Sequence, residues 1–303
     1  MCLGLVCVLL TLLMPSSKLM SQSLSVGQAT LDGAGVLKDL LQIPSRVSLI
    51  PDCSFAYTSV NFSANGQEGE VIRRRFVKQG EMWKEESYRP DGSLRIVNSY
   101  DGENYFTYIP TANQLAVSQN PKAVERFTVE SFATNPLYTW SNVVFLAAHE
   151  KFKIPELEDG DLLEEELTKF QVLPSSAVVT SRGGEVGLES PEMVCKISYD
   201  RSEEGEVLVS EYTLRLKDPD GKLYDRISRK SMLDWRTEKV GEVDVIFPRR
   251  VEVDTFDAGK PGVSTGGSIF EYEEGTLVKG TGKLKKIDFQ VPLSSVSNPR
   301  FIK

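Results

Sequence analysis

Histidine is nearly missing from this sequence: its 303 residues include one, His149. A single imidazole without paired cysteines leaves no zinc site of ordinary composition. His149 falls at the end of an expected helix, where the helix dipole favours its charged form, and it reads as a surface or capping residue rather than a catalytic one. Cysteine is scarce too, at four residues. Cys2 and Cys7 fall in an N-terminal apolar run, which leaves Cys53 and Cys195 for the folded part. Export would permit a disulfide between them but does not establish one. Cys195 alternates with Met193, Ile197 and Tyr199 on an apolar strand face and reads as a buried free thiol. The G-x-S-x-G nucleophile elbow and the P-loop and dinucleotide-binding glycine fingerprints are read as absent. No catalytic residue, metal or cofactor is expected, and the chain is not expected to be an enzyme.

Positive charge is outnumbered, with 35 Lys and Arg against 43 Asp and Glu and a net charge of −8. So acidic a chain is a poor prospect for phosphate backbones, and nucleic acid is not expected as a partner. The one strong basic cluster, Arg73-Arg74-Arg75, lies in a strand-like segment and reads as a solvated or salt-bridged strand face. The run from Leu3 to Leu13, broken by Thr11, has the length of a signal-peptide core and is too short to span a bilayer. Serines follow at positions 16, 17, 21, 23 and 25, while no basic residue precedes the run. A membrane anchor or a buried strand would share this pattern. Residues 1–23 are read as an export leader and 24–303 as one domain with a helical and loop insertion around 134–191. The expected location is the periplasm or cell envelope, with peripheral rather than integral membrane contact.

What the sequence does have is β texture. Phe55 to Phe62, Val71 to Lys78, Met82 to Tyr88, Leu94 to Tyr100, Tyr105 to Ile109 and Leu115 to Ser118 read as six strands. Their turns fall at Asn65-Gly66, Gln79-Gly80, Arg89-Pro90-Asp91-Gly92 and Asp101-Gly102, too short for parallel crossovers, so this sheet is antiparallel. Helices are expected at 28–43, from Asn135-Pro136 to about His149, and at 161–170. Residues 172–191, rich in glycine and proline, read as a flexible segment. Strands then return at 193–199, 208–216, 223–233, 243–256, 268–273 and 287–291, with a loop at 257–267. The fold class is α+β, mainly β: a curved antiparallel sheet whose apolar face the helices cover.

Aromatic residues crowd the first six strands. Phe55, Tyr57, Phe76, Trp83, Tyr100, Phe106 and Tyr108 are the candidate ligand-binding residues. They fit either an ordinary sheet core or an apolar concavity suited to acyl chains. Alternation sets Tyr105, Thr107 and Ile109 against Phe106 and Tyr108, and the more aromatic pair is expected to point inward. Adjacent carboxylates such as Glu85-Glu86 point to opposite strand faces and read as solvation. Asp218-Pro219-Asp220-Gly221 lacks the later ligands of a calcium loop and reads as a turn.

The stretch from Arg74-Arg75-Phe76 to Tyr88, then Ser99-Tyr100-Asp101-Gly102-Glu103-Asn104-Tyr105-Phe106-Thr107-Tyr108-Ile109-Pro110, then Asn113-Gln114-Leu115, resembles the LolA/LolB family of periplasmic lipoprotein carriers. Phe289 to Leu293 is weakly similar to that family's last strand. The resemblance implies an unclosed β-barrel of about eleven strands wrapped on a helical lid. It also implies a hydrophobic cavity for lipid or acylated lipoprotein, and no cofactor. This chain departs from the family in being longer, with extra material around 150–190. Two roles follow as expectations: a carrier or sensor of lipid or lipoprotein, or a regulatory or scaffold protein that binds an envelope protein partner.

Overall fold

A computed structural model describes residues 50–120, 135–138, 171–173, 178–180, 182–191, 193–260, 262–280, 282–291, 296 and 298–302. The first six strands are β1 (Cys53–Ser63), β2 (Ile72–Gln79), β3 (Met82–Tyr88), β4 (Leu94–Tyr100), β5 (Tyr105–Ile109) and β6 (Gln114–Ser118). Each pairs antiparallel with the next, so they form the expected meander, with β3, β4 and β5 at the expected boundaries and β1, β2 and β6 within two residues of theirs. At the β4–β5 hairpin Gly102 takes φ 90, a left-handed conformation natural to glycine. The preceding Asp101 closes this turn by accepting the Glu103 and Asn104 N–H groups on Oδ1, at 3.0 and 2.7 Å.

A second group comprises β7 (Gln171–Val172), β8 (Val178–Thr180), β9 (Gly183–Glu189), β10 (Met193–Arg201), β11 (Val207–Leu216), β12 (Arg226–Val240), β13 (Val243–Asp257) and β14 (Ser264–Tyr272). From β9 to β14 it is again an antiparallel meander, and β14 pairs with β1. Two meanders therefore join at their inner strands into one open sheet. Short β15 (Val278–Lys279) continues along β1, and β16 (Asn298–Ile302) pairs parallel with β6.

Alternation gives the sheet two unlike faces. On the main-core face Phe55, Tyr57, Phe76, Trp83 and Tyr105 continue across the seam into Tyr272, Phe247 and Val251, then into Tyr212, Ile197 and Val186. On the opposite face a smaller cluster of Val97, Phe106, Leu115 and Val117 packs against Val291 and Val296. The C-terminal segment thus crosses the opposite face as a strap, with buried Phe289 at the end of a 3-10 turn, Lys286–Phe289. The Gln290 side-chain amide donates to Asp101 Oδ2 at 2.6 Å and ties the strap to the β4–β5 hairpin.

Several expectations are corrected. Among the described residues the sheet has sixteen strands rather than about eleven. Residues 287–291 hold most of the 3-10 turn rather than a strand. Strand β14 begins at Ser264, inside the expected 257–267 loop. The expected flexible segment 172–191 contains β8 and β9. Its glycines are there for proximity: a Cβ on Gly184 would lie 2.6 Å from the Tyr199 ring, and one on Gly183 would lie 2.2 Å from the Tyr199 carbonyl oxygen. Among the described residues there is no α-helix, so helical cover of the sheet gains no support; the expected helices at 28–43 and 161–170 lie outside them, as does His149. Of the third, residues 135–138 are described. There Asn135 Oδ1 accepts the Leu137 N–H at 3.0 Å, the bond expected of an N-cap.

Candidate functional site

Four of the seven candidate aromatics form one row. Phe55, Tyr57, Phe76 and Trp83 are fully buried on the main-core face, with ring centroids 5.4 Å apart for Phe55–Phe76 and 6.3 Å for Phe76–Trp83. Tyr105 extends the row, 5.9 Å from Trp83, and Tyr138 closes on Phe76 at 5.7 Å. Tyr100 is half-buried at its edge. At these residues the face is a filled core, not an empty trough. Phe106 and Tyr108 do not join it. They lie on the opposite face with Val97 and Leu115, under the strap. The expected inward pair is therefore reversed, and Tyr105 is the main-core residue. Counting aromatics could not decide this, because β5 has apolar cover on both faces.

Beside the aromatic row sits a buried polar network. The Tyr57 O–H donates to Glu85 Oε2, and Arg74 Nη1 donates to Glu85 Oε1 at 2.7 Å. Arg74 Nε also donates to Ser59 Oγ at 3.0 Å, and its guanidinium lies 5.9 Å from the centre of the Tyr57 ring. Burial works against the Arg74 charge, but Glu85 and Tyr57 outweigh it, and its pKa is raised. Burial, then the Glu85 charge, pushes the Tyr57 phenol well above its ordinary range. The network engages both Glu85 oxygens from within the protein. Elsewhere on this face burial lowers the Lys230 ammonium to about 7, with its Nζ 5.4 Å from the centre of the Tyr212 ring. Cys53 and Cys195 are free and buried, and burial raises their thiols to about 11 and about 12. Neither is a poised nucleophile.

The expected absence of a G-x-S-x-G spacing is corrected by one segment. Gly262-Val263-Ser264-Thr265-Gly266 has the G-x-S-x-G form. In the catalytic version the serine sits on a sharp turn from strand to helix. Here Ser264 starts strand β14, and its hydroxyl donates to Asp254 Oδ1 at 2.9 Å. Asp218 Oδ1 likewise accepts the Asp220 and Lys222 N–H groups, so its loop is the expected turn. Among the described residues no cluster of three His, Cys, Asp or Glu could hold a metal ion, and no helix is long and apolar enough to cross a membrane.

The space suited to a ligand lies on the opposite face; of the residues singled out from sequence, Phe55, Arg73 and Arg75 line it. There a groove of about 800 Å³ runs over β1 and β2. Its floor includes Ser54, Ala56, Arg73 and Arg75; Tyr88, Arg89 and Pro90 form one side, and Gly275, Thr276 and Val278 the other. This volume lies within the roughly 300–1,000 Å³ typical of small-molecule sites. Thr276 Oγ1 accepts the Ala56 N–H at 3.0 Å and holds that side against β1. Val71 and Val278, both exposed, stand at the groove. A second hollow of about 230 Å³ adjoins at Arg75 and reaches Phe289 of the strap.

No family model and no curated relative matches the chain. Among solved structures, it is similar to a LolA superfamily protein from Nitrosomonas europaea, with 10% identity and a TM-score of 0.45 over 84% of this chain and 97% of that one. It is similar to a DUF1329 family protein from Desulfovibrio piger, with 12% identity and a TM-score of 0.41 over 88% and 100% of the two chains. A weaker likeness, at 10% identity and a TM-score of 0.23, covers 80% of this chain and 95% of a chain in the MucA/MucB complex of Pseudomonas aeruginosa. All three scores lie below 0.5, and no residue's role passes from these proteins to this one.

Proposed function

We propose that this chain is an exported, non-catalytic binding protein of the cell envelope, which carries or senses a hydrophobic ligand such as a lipid or acylated lipoprotein. The observation that carries the reading is the groove of about 800 Å³ over β1 and β2, with exposed Val71 and Val278 beside it. A partly apolar groove of this size outside a filled core is the default place for a ligand. Export rests on the leader-like residues 1–23. The test is mass spectrometry of the protein purified from the compartment it reaches. An acyl-bearing molecule in near-stoichiometric amount is expected; protein recovered repeatedly without one overturns the reading. A second reading, a scaffold that binds an envelope protein, draws on the strap, where Ile287 is 61% exposed. It gains if a defined protein co-purifies in place of lipid, and if Ile287→Asp releases that protein.

A further inference from the structure

The acidic chain places three arginines along one groove. Their partners differ. Arg73 grips Glu273, with Nε 2.8 Å from Oε1 and Nη2 2.8 Å from Oε2. Arg75 stands across from Glu86 in the β2–β3 ladder, but that carboxylate is engaged by Lys84 at 3.2 Å and by the Tyr88 O–H at 2.7 Å. Among the described residues neither Arg75 nor Arg89 forms an ion pair. The groove therefore has guanidinium charge left over. Arg75 also lines the smaller hollow toward Phe289, so it stands where the two spaces meet.

Beside that charge the groove offers Ala56, Val71 and Val278. With Arg73 neutralised by Glu273, the guanidinium charge of Arg75 and Arg89 beside these apolar side chains complements an amphiphile with one anionic head. The geometry points to a long-chain fatty acid as the ligand class, its carboxylate at Arg75 and Arg89 and its chain along Ala56, Val71 and Val278. This rests on the groove being the ligand site, as argued above, and adds the head group that it selects. A guanidinium presents parallel N–H groups that match the two oxygens of a carboxylate, which an ammonium does not.

Isothermal titration of the purified chain against four probes tests this: dodecanoate, dodecanol, inorganic phosphate and an oligo-glutamate peptide. Dodecanoate is expected to bind at least tenfold more tightly than dodecanol. Arg75→Gln should weaken dodecanoate about tenfold, or about 1.4 kcal/mol, and leave dodecanol unchanged. Arg75→Lys should restore part of the loss. Arg75 is exposed, so an unchanged urea midpoint is expected to accompany each variant. Equal affinity for acid and alcohol, or indifference to Arg75→Gln, overturns the head-group assignment while the groove stands as an apolar site. Failure of both twelve-carbon probes to bind overturns the groove reading as well. Phosphate or peptide binding as tightly as dodecanoate overturns the fatty-acid assignment in favour of a plain anion site or an acidic protein segment.

Discussion

Arg73, Arg74 and Arg75 are chemically identical neighbours that meet different surroundings because strand alternation sends the middle one to the other face. Arg74 enters the main-core face and pairs with Glu85, whose side chain is 1% exposed. A buried pair of this kind contributes less than its charges suggest, since both ions have left water. Breaking it is another matter. Arg74→Met should cost about 3–5 kcal/mol in urea unfolding, because Glu85 is then buried without its cation. The double change Arg74→Met with Glu85→Leu should recover most of that loss. A double variant no more stable than the single one would show that the network acts through the Tyr57 and Ser59 bonds instead. The triplet also marks how far the residue pattern could reach. Alternation alone predicts that Arg74 parts from its neighbours. That it finds a carboxylate there depends on Glu85 standing two residues along β3 from Arg74's partner Ser87, across from Phe76, which no local pattern specifies.

At the scale of elements, the hairpin at Asp101-Gly102 does two jobs, and the sequence shows one. Its turn chemistry is local, so β4 and β5 were predicted at their observed boundaries. Its second job is to hold the strap, which arrives from 189 residues away through Gln290. Long-range partners of this sort leave no spacing signal, and the same gap explains the missed strands. β15 is two residues long, β16 is recognisable only by the β6 edge it covers, and β9 is a strand because its glycines fit against Tyr199. Burial opposes the Asp101 charge, but the Gln290 amide and the Asn104 and Glu103 N–H groups outweigh it and hold the carboxyl below its ordinary range. A carboxyl depressed in the folded state stabilises the protein above the unfolded value of about 3.9 and loses that contribution as pH falls through the folded value. Asp101→Asn keeps an acceptor for the turn but opposes an amide to an amide at Gln290. It should cost about 1.5–3 kcal/mol at pH 7. Its deficit against the unaltered chain should shrink as the pH falls below about 4. A deficit independent of pH would mean that the charge is not what holds the strap.

For the whole molecule, everything depends on one seam. The two meanders are each built from neighbours in sequence, but β1 and β14 bring together residues such as Asn61 and Ser268, 207 positions apart, whose side chains bond at 2.7 Å. Closing so long a loop is slow and costs entropy that only the completed main-core face returns, as Phe55 meets Tyr272 with ring centroids 6.3 Å apart. The seam is also tight. Gly267 lies between β1 and β13, where a Cβ would stand 2.1 Å from the Val253 carbonyl oxygen and 2.5 Å from the Phe62 ring. The ring could turn aside, but the carbonyl belongs to the β13 backbone and could move only by opening the ladder. In the unfolded chain, replacing glycine by alanine reduces conformational freedom and would favour folding by about 0.4–1 kcal/mol. At Gly267 overpacking should overwhelm that gain. Gly267→Ala is expected to destabilise the protein by at least about 1–3 kcal/mol, with the largest rise in hydrogen exchange at β1, β13 and β14. Gly259 supplies the control, since a Cβ there meets nothing within 4 Å. Gly259→Ala should stay within about 0.5 kcal/mol of the unaltered chain. If both variants unfold at the same urea concentration, the seam tolerates a methyl group and the two meanders are less tightly joined than this geometry requires.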